Sequence, residues 1–291
     1  MELRVLRYFL AVVKYENIIR AAEALHVTQP TLSRQLMELE EELGKKLFVR
    51  GSRKISLTDE GMLLHKRAEE IIELVEKTKA EIISSDKMIN GDIYIGGGET
   101  EVMRLLAQTA KKLQKDYPNI RYHLFSGNAD DVTEKLDRGL LDFGVLIEPA
   151  NITKYDFLKL PAVDRWGVLM RKDSPLAKYE TIKPEYLWDV PLLCSRQSMV
   201  GKELAQWIGK DFNDLNISAT YNLIYNASLM VEEGIGYALC LDKLVNTLGN
   251  SSLCFKPLDP KMEVGLNVVW KKSQVFSKAA QKFLEILESE F

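Results

Sequence analysis

The stretch HVTQPTLSRQL, His26 to Leu36, decides how the first part of the chain is read. It opens with a hydroxyl, an amide and a proline, then sets Leu32 and Leu36 around Ser33 and Arg34. Thr28 supplies an N-cap oxygen, Pro30 falls in the first turn where a missing N–H costs nothing, and Gly44 stops the helix after Leu43. Leu32, Leu36, Leu39 and Leu43 mark its buried face. Upstream, Leu3, Leu6, Leu10 and Val13, widened by Phe9 and Val12, predict a first helix. Asn17 caps a second, with Ile18, Ala21, Ala22 and Leu25 turned inward, and His26-Val27 makes the tight connection. Two helices so joined are a helix-turn-helix, which presents the N-terminus of its second helix to the DNA major groove.

The side chains at that N-terminus fit the role. Gln29 carries the paired donor and acceptor that suit adenine, Arg34 the fork that suits guanine or a phosphate, and Thr31 and Ser33 short hydroxyls. Lys45, Lys46, Arg50, Arg53 and Lys54 then place five cations within ten residues, with no acid from Gly44 to Thr58. A cation run is by itself as readily a solvated face. Directly after a helix-turn-helix, the hairpin Phe48 to Leu57 is better explained as a wing whose Arg50, Arg53 and Lys54 meet phosphates or the minor groove.

At 291 residues the chain is long enough for two or more folded units, and 46% apolar with 28% charged residues is ordinary for a globular protein. Its net charge of -3 says little about partners, because charge matters where it clusters. No apolar run approaches a membrane span. The start, MELRVLRYFLAVVKYE, breaks its apolar stripe with Arg4, Arg7 and Lys14, so a cytosolic protein is expected. Cys194, Cys240 and Cys254 are scattered and are expected to be reduced core residues. His26, His65 and His123 are far apart, no Gly-x-Ser-x-Gly elbow occurs, and no set has metal-ligand spacing. Neither catalytic residues, a metal nor a cofactor is therefore expected.

From Thr58 to Ile89 the pattern predicts one long helix. Leu64, Ala68, Ile71, Val75, Thr78 and Ile82 form a heptad seam, accompanied by a second stripe of Leu63, Ile72 and Leu74. Packing on the chain's own remainder is the alternative; so much apolar surface favours a partner helix and a homodimer. After Asn90-Gly91 short β runs alternate with helices, which predicts an α/β unit with a mainly parallel sheet. Strands are expected at Asp92–Gly96, Ile120–Phe125, Asp142–Ile147, Arg165–Met170, Leu192–Ser195, Gly236–Cys240 and Leu266–Trp270. Helices are expected at Val102–Asp116, Asp131–Asp137, Ser198–Ile208, Ser228–Glu233 and Phe276–Leu287.

IGGGETEV, Ile95 to Val102, lies between a strand and a helix, but Glu101 stands where a dinucleotide site needs its third glycine, and no P-loop lysine follows. A cleft wall is the better reading, with Gly98 allowing close approach and Thr100 plus the helix start donating hydrogen bonds. Glu99 opposes an anion there, which points to an effector with an amine or zwitterionic head, unless Glu99 faces solvent or pairs with Arg196. Ser126, Asn128, Ser195, Arg196, Asn226 and Ser228 end strands or start helices and complete a candidate constellation, each also readable as a cap or turn residue.

Residues 1 to about 65 strongly resemble the N-terminal domain of LysR-type transcriptional regulators. The resemblance rests on Ala21-Ala22, Gln29-Pro30, Leu32-Ser33-Arg34, Leu39-Glu40, Leu43-Gly44, Leu47-Phe48, Arg50, Arg53, Leu57-Thr58 and Gly61. It departs at Asn17-Ile18-Ile19, where the family more often has hydroxyl residues. The second part is similar to the family's effector domain through Tyr117-Pro118-Asn119-Ile120, Gly139-Leu140-Leu141-Asp142-Phe143, Ser174-Pro175-Leu176-Ala177 and Glu233-Gly234-Ile235-Gly236-Tyr237.

The resemblance implies Gln29, Pro30, Thr31, Ser33 and Arg34 as the DNA-reading helix and Arg50 and Arg53 as wing contacts, and the capping Thr28 is counted with the DNA-binding residues. It implies linker helices that pair chains into dimers, dimers that pair again into tetramers, and effector contacts at the Ile95–Val102 helix start and beside Cys194. The expected fold is α/β with an all-α N-terminal part. Residues 1–58 are a winged helix-turn-helix, 59–90 a linker helix, and 91–291 a periplasmic-binding-protein-like unit. Its subdomains would be 91–163 with 267–291, and 164–266, joined by strands crossing near Val163–Trp166 and Val264–Asn267. The function expected is a regulator that binds double-stranded DNA in response to a small molecule. An enzyme or a solute-binding protein are the competing classes; the first lacks a catalytic set, the second is opposed by the N-terminal domain.

Overall fold

The computed structural model describes residues 1–50, 54–83, 89–196, 202–272 and 274–291; the side chains of residues 50, 80, 81, 83 and 202 lie outside it as well. The chain divides into two compact units, Met1–Ile83 and Ser84–Phe291.

In the first unit, α1 (Leu3–Tyr15) buries Val5, Leu6, Phe9 and Val12. The stripe is turned from the expected one: Phe9 is its centre, and Leu3 stays exposed. Asn17 caps α2 (Ile18–Ala24) by accepting from Ile19 and Arg20 N–H, and Ala21 and Ala22 let α3 (Gln29–Leu43) come close. Thr28 Oγ1 accepts from Thr31 N–H, and Gly44 closes α3 at φ 64, where a side chain would be strained. Leu32, Leu36 and Leu39 are buried, but Leu43, expected beside them, is exposed. Strands β1 (Phe48–Arg50) and β2 (Ile55–Leu57) pair antiparallel as the wing.

Helix α4 (Asp59–Ile83) completes the unit. At its start a Cβ on Gly61 would stand 2.1 Å from the Leu47 carbonyl oxygen, so only glycine lets the helix cross there. Ala68 is fully buried, and Leu64, Ile71 and Ile72 pack with it on the core around Phe9. Of the expected seam, Ala68 is wholly inside its own chain's core, and Leu64 and Ile71 pack partly against it. Instead Met62, Leu63, Leu74 and Ile82 are exposed, with Val75 between the two faces.

The second unit is built on β3 (Gly91–Gly97), β4 (Ile120–Ser126), β5 (Phe143–Ile147), β6 (Tyr155–Arg171), β7 (Leu192–Ser195), β8 (Ile217–Tyr221), β9 (Tyr237–Leu241), β10 (Leu253–Pro257) and β11 (Glu263–Lys271). The order is β4-β3-β5-β11-β6-β9-β7-β8, with β10 on β6. β3 pairs parallel with β4 and β5, and β7 with β8 and β9. β11 pairs antiparallel with β5 and β6, and β6 with β9 and β10. The sheet is thus mixed rather than mainly parallel, because the chain returns through long antiparallel strands between its two parallel halves.

The 17-residue β6 serves both halves: Tyr155–Arg165 lies along β11, while Trp166–Leu169 lies along β9. Helices α5 (Met103–Asp116) and α9 (Lys278–Glu290) cover one face of the first half, where Phe143 stacks on Phe276 at 5.1 Å and meets Phe283 at 5.5 Å. Helix α6 (Ala129–Asp137) covers the opposite face through Val132 and Leu136. In the second half α7 (Lys202–Ile208) and α8 (Ile224–Glu232) cover opposite faces. α8 starts earlier than the expected Ser228.

The crossing region carries one buried acid. Thr100 donates to Asp164 at 2.5 Å, and Asp164 is almost fully buried on β6. Burial holds its carboxyl above the ordinary value of 3.8; the Thr100 bond and Lys243 work against this, and Glu101 and Asp242 add to it. A carboxyl raised in the folded state contributes stability as the neutral acid, present at low pH and lost as pH rises through the folded value. Asp164→Asn keeps an acceptor for Thr100 without the charge. It will raise the melting temperature at neutral pH and leave it unchanged below about pH 3.8, as calorimetry at the two pH values will show. A lower melting temperature at neutral pH would mean that the carboxylate is needed.

Candidate DNA-reading face and ligand cleft

At the start of α3, Thr28, Gln29, Pro30, Thr31 and Arg34 are exposed and Ser33 is half-buried. They satisfy one another: Thr28 Oγ1 and Thr31 Oγ1 lie 2.8 Å apart, Gln29 donates to Ser33 Oγ at 2.9 Å, and Arg34 Nε donates to Glu38 at 2.8 Å. Each bond is local and exposed, so breaking it for a base edge costs little. Lys54, also exposed, pairs with Glu16 at 2.5 Å. Lys45 and Lys46, read with the same run, pair with Glu60 and Glu40 at 3.3 and 2.8 Å. The run lacks acids in sequence, yet these three lysines find them in the fold. Arg53 lies outside the described residues, as does the Arg50 side chain; the Arg50 backbone pairs with Ile55 in the wing.

Glu40 stands in the sequence only as part of the motif, and in the fold it does more. Its buried carboxylate accepts from Leu47 N–H at 2.8 Å and Phe48 N–H at 3.3 Å, and from Lys46 Nζ at 2.8 Å, fixing where the wing leaves α3. Burial alone raises its pKa, but the Lys46 ammonium and the two amides together outweigh that and hold it below the ordinary 4.5. A depressed carboxyl contributes stability present above the unfolded value, about 4.5, and lost as pH falls through the folded one. Glu40→Ala orphans two amides and will cost the first unit about 1–3 kcal/mol, measured by denaturant titration near neutral pH. The variant will also lose less stability on acidification than the parent; equal acid sensitivity would show that Glu40 is not the group responsible.

In the second unit a cavity of about 140 Å³ opens between the two halves of the sheet. Gly98 and Glu99 after β3, Gly127 and Asn128 before α6, and Ile147 and Glu148 at the end of β5 form one wall. Trp166 and Val264 from the crossing strands floor it, and Ser195, Glu203, Leu204, Tyr221, Ile224 and Leu241 face the first wall. The Trp166 indole N–H is buried without an acceptor among the described residues. Burial pushes the Cys240 thiol, which also lines the cavity, up to about 12, so it stays a neutral thiol.

Of the expected effector residues, the structure gathers Gly98, Glu99, Asn128 and Ser195 here and not the rest. Thr100 turns away to Asp164 and also accepts from Val102 N–H. Ser126 is exposed at the end of β4, Arg196 is exposed outside the lining, and Asn226 is exposed within α8. Asn128 caps α6 through Asp131 N–H at 2.9 Å while facing the cavity.

Glu99 neither faces solvent nor pairs with Arg196. Its Oε2 accepts the Ile224 N–H at 2.5 Å, the first amide of α8, whose own cap residue Leu223 has no acceptor to offer. The helix is capped from 125 residues away. Asn222, Trp166, Glu148 and Glu203 are lining residues that no motif marked.

A winged helix-turn-helix in one unit and an α/β unit with a cleft in the other define the class of ligand-responsive transcriptional regulators. The family models agree: "Bacterial regulatory helix-turn-helix protein, lysR family" matches residues 3–62 and "LysR substrate binding domain" matches residues 87–291. The chain belongs to the LysR family of transcriptional regulators, which is not a family of enzymes. It is 30% identical over 299 residues to the Hca operon transcriptional activator HcaR of Escherichia coli K12, covering 99% of this chain and 97% of that one. An uncharacterized HTH-type transcriptional regulator, YvbU of Bacillus subtilis, is 24% identical with 100% and 99% covered. Among solved structures, full-length CbnR complexed with its target DNA aligns over 100% of both chains at a TM-score of 0.76 and 20% identity, a likeness of fold. A point mutant of full-length BenM aligns at a TM-score of 0.55 and 25% identity, over 100% of this chain and 96% of that one. No described helix is long and apolar enough to cross a membrane.

Proposed function

We propose that this regulator works in the cytoplasm as a homodimer, with dimers pairing into tetramers. Two copies of α3 enter successive major grooves about one helical turn apart. Gln29, Thr31, Ser33 and Arg34 read bases, Thr28 and Pro30 set the entry of the helix, and Arg50, Arg53 and Lys54 hold the backbone. Residues 1–58 serve as the DNA-binding part, 59–90 as the linker, and 91–163 with 267–291 and 164–266 as the two effector subdomains. A small molecule in the cleft shifts the closure of these subdomains and, through the linkers, the bend in the DNA.

The observation that carries this reading is the capped start of α3, whose polar side chains stand at the surface of their unit. Support for the dimer comes from the exposed Leu63, Leu74 and Ile82 on α4. The test is footprinting and electrophoretic retardation on DNA upstream of the protein's own gene. Retardation that weakens steeply with salt and a footprint covering paired half-sites are expected. A protein that retards no duplex at low salt would sink the reading.

A further inference from the structure

We propose that the cleft takes a small amphipathic monocation, a protonated primary amine on an apolar body about the size of one ring; this rests on the cleft being the effector site.

The size follows from the volume. A cavity near 150 Å³ holds one benzene, and this one measures about 140 Å³. The apolar body follows from Ile147, Leu204, Ile224, Leu241, Leu244 and Met262, with the Trp166 ring beside them.

The charge follows from what lines the cavity. Glu99, Glu148 and Glu203 are there, and among the described residues not one lysine, arginine or histidine is. Two of the three carboxylates have company: Glu99 takes the Ile224 N–H, and Glu148 accepts from Asn267 at 2.9 Å and lies 3.7 Å from Lys159. Glu203, on α7, has no cation within ion-pair distance among the described residues.

The start of α8 is also where a ligand carboxylate would find backbone donors, and the chain's own Glu99 already holds the first of them. An anionic ligand would displace Glu99 and then face three carboxylates, Glu99 and Glu148 half-buried and Glu203 exposed at the rim. A cation meets charge of the opposite sign with Glu203 free to pair. The amine end therefore lies toward Glu203 and the apolar end between Ile147 and Trp166.

The test uses the full-length protein near neutral pH, with calorimetric titration of 2-phenylethylamine, cyclohexylmethylamine and 3-methylbutylamine. Phenylacetate, cyclohexanecarboxylate and 2-phenylethanol are the matched anions and the neutral control. At least one amine should bind, its matched anion and neutral counterpart about two- to fivefold weaker, the size of one exposed ion pair. Glu203→Gln should weaken the amine about two- to fivefold and leave the alcohol unchanged, and Glu203→Lys should turn the preference toward the carboxylates. Gly98→Met, which fills the cleft, should abolish amine binding.

Failure of every amine to bind overturns the proposal. A carboxylate that binds as well as its amine, and is lost in Gly98→Met, overturns the charge assignment while the cleft remains the effector site. Amine binding that survives Gly98→Met places the ligand elsewhere and overturns both.

Discussion

Leu74→Asp will yield a chain that is folded but monomeric in sedimentation, and that holds its operator roughly 10²–10⁴-fold more weakly than the parent. The size of the loss comes from linkage. Two recognition helices on one body bind the second half-site at a high effective concentration, and separating the bodies forfeits that without touching a DNA contact. The position comes from the division of faces on α4. Leu74 is 41% exposed and Ile82 78%, whereas Ala68 is wholly buried among Leu64, Ile71 and the α1 side chains. A carboxylate at Leu74 costs its own unit little, but in a helix pair it would lie unpaired in an apolar seam.

Ala68→Asp is the instructive contrast. It will lower the melting temperature of the first unit, because the charge enters that unit's own core. Should Leu74→Asp sediment as the parent does, the outward face of α4 is not where the chains meet.

Gln29→Ala or Arg34→Ala will relax base preference at one position of each half-site by about 1–3 kcal/mol, roughly 5- to 150-fold. Arg50→Ala or Arg53→Ala will instead weaken all duplexes alike and lower the salt slope by about one unit each. The α3 side chains are ready for exchange: among the described residues, Gln29 is held only by Ser33 at 2.9 Å and Arg34 only by Glu38 at 2.8 Å, both at the surface. Glu38→Ala frees the Arg34 fork and should tighten binding to every duplex a little. Selection of preferred sites by each variant, at two salt concentrations, separates the two behaviours. Four variants that respond identically would show that reading and holding are not divided in this way.

Much of the architecture is legible in the sequence because local signals agree with tertiary ones. Asn17, Thr28 and Gly44 mark helix ends that the fold keeps. The errors have causes. The heptad seam on α4 suggests a partner, but spacing alone does not say whether a stripe faces its own chain or another. The first half of β6 escapes the pattern because Pro161 interrupts Leu160 and Ala162. It is tolerated where the β6–β11 register shifts between Gly265 and Asn267, so that no ladder bond is lost. The sequence starts helix α8 too late, at Ser228, because its first amide is capped by Glu99 and Leu223 shows no cap. Asn226 is drawn into the expected site by the same error. Thr100 reads as a ligand donor because its claim on Asp164 spans 64 residues, and no local pattern encodes such a bond. Glu148 and Glu203 have no motif at all, and only the closing of the two halves makes them neighbours of Glu99.

The uninterrupted course of β6 has a cooperative consequence. A strand that edges one half, along β11, until Arg165 and runs between β9 and β10 beyond Trp166 belongs to two folding neighbourhoods at once. Neither half can melt wholly without fraying a strand that the other shares. Amide protons at Gly167–Leu169, held between two strands, are expected to outlast those of the one-sided stretch Asp156–Arg165 in hydrogen exchange.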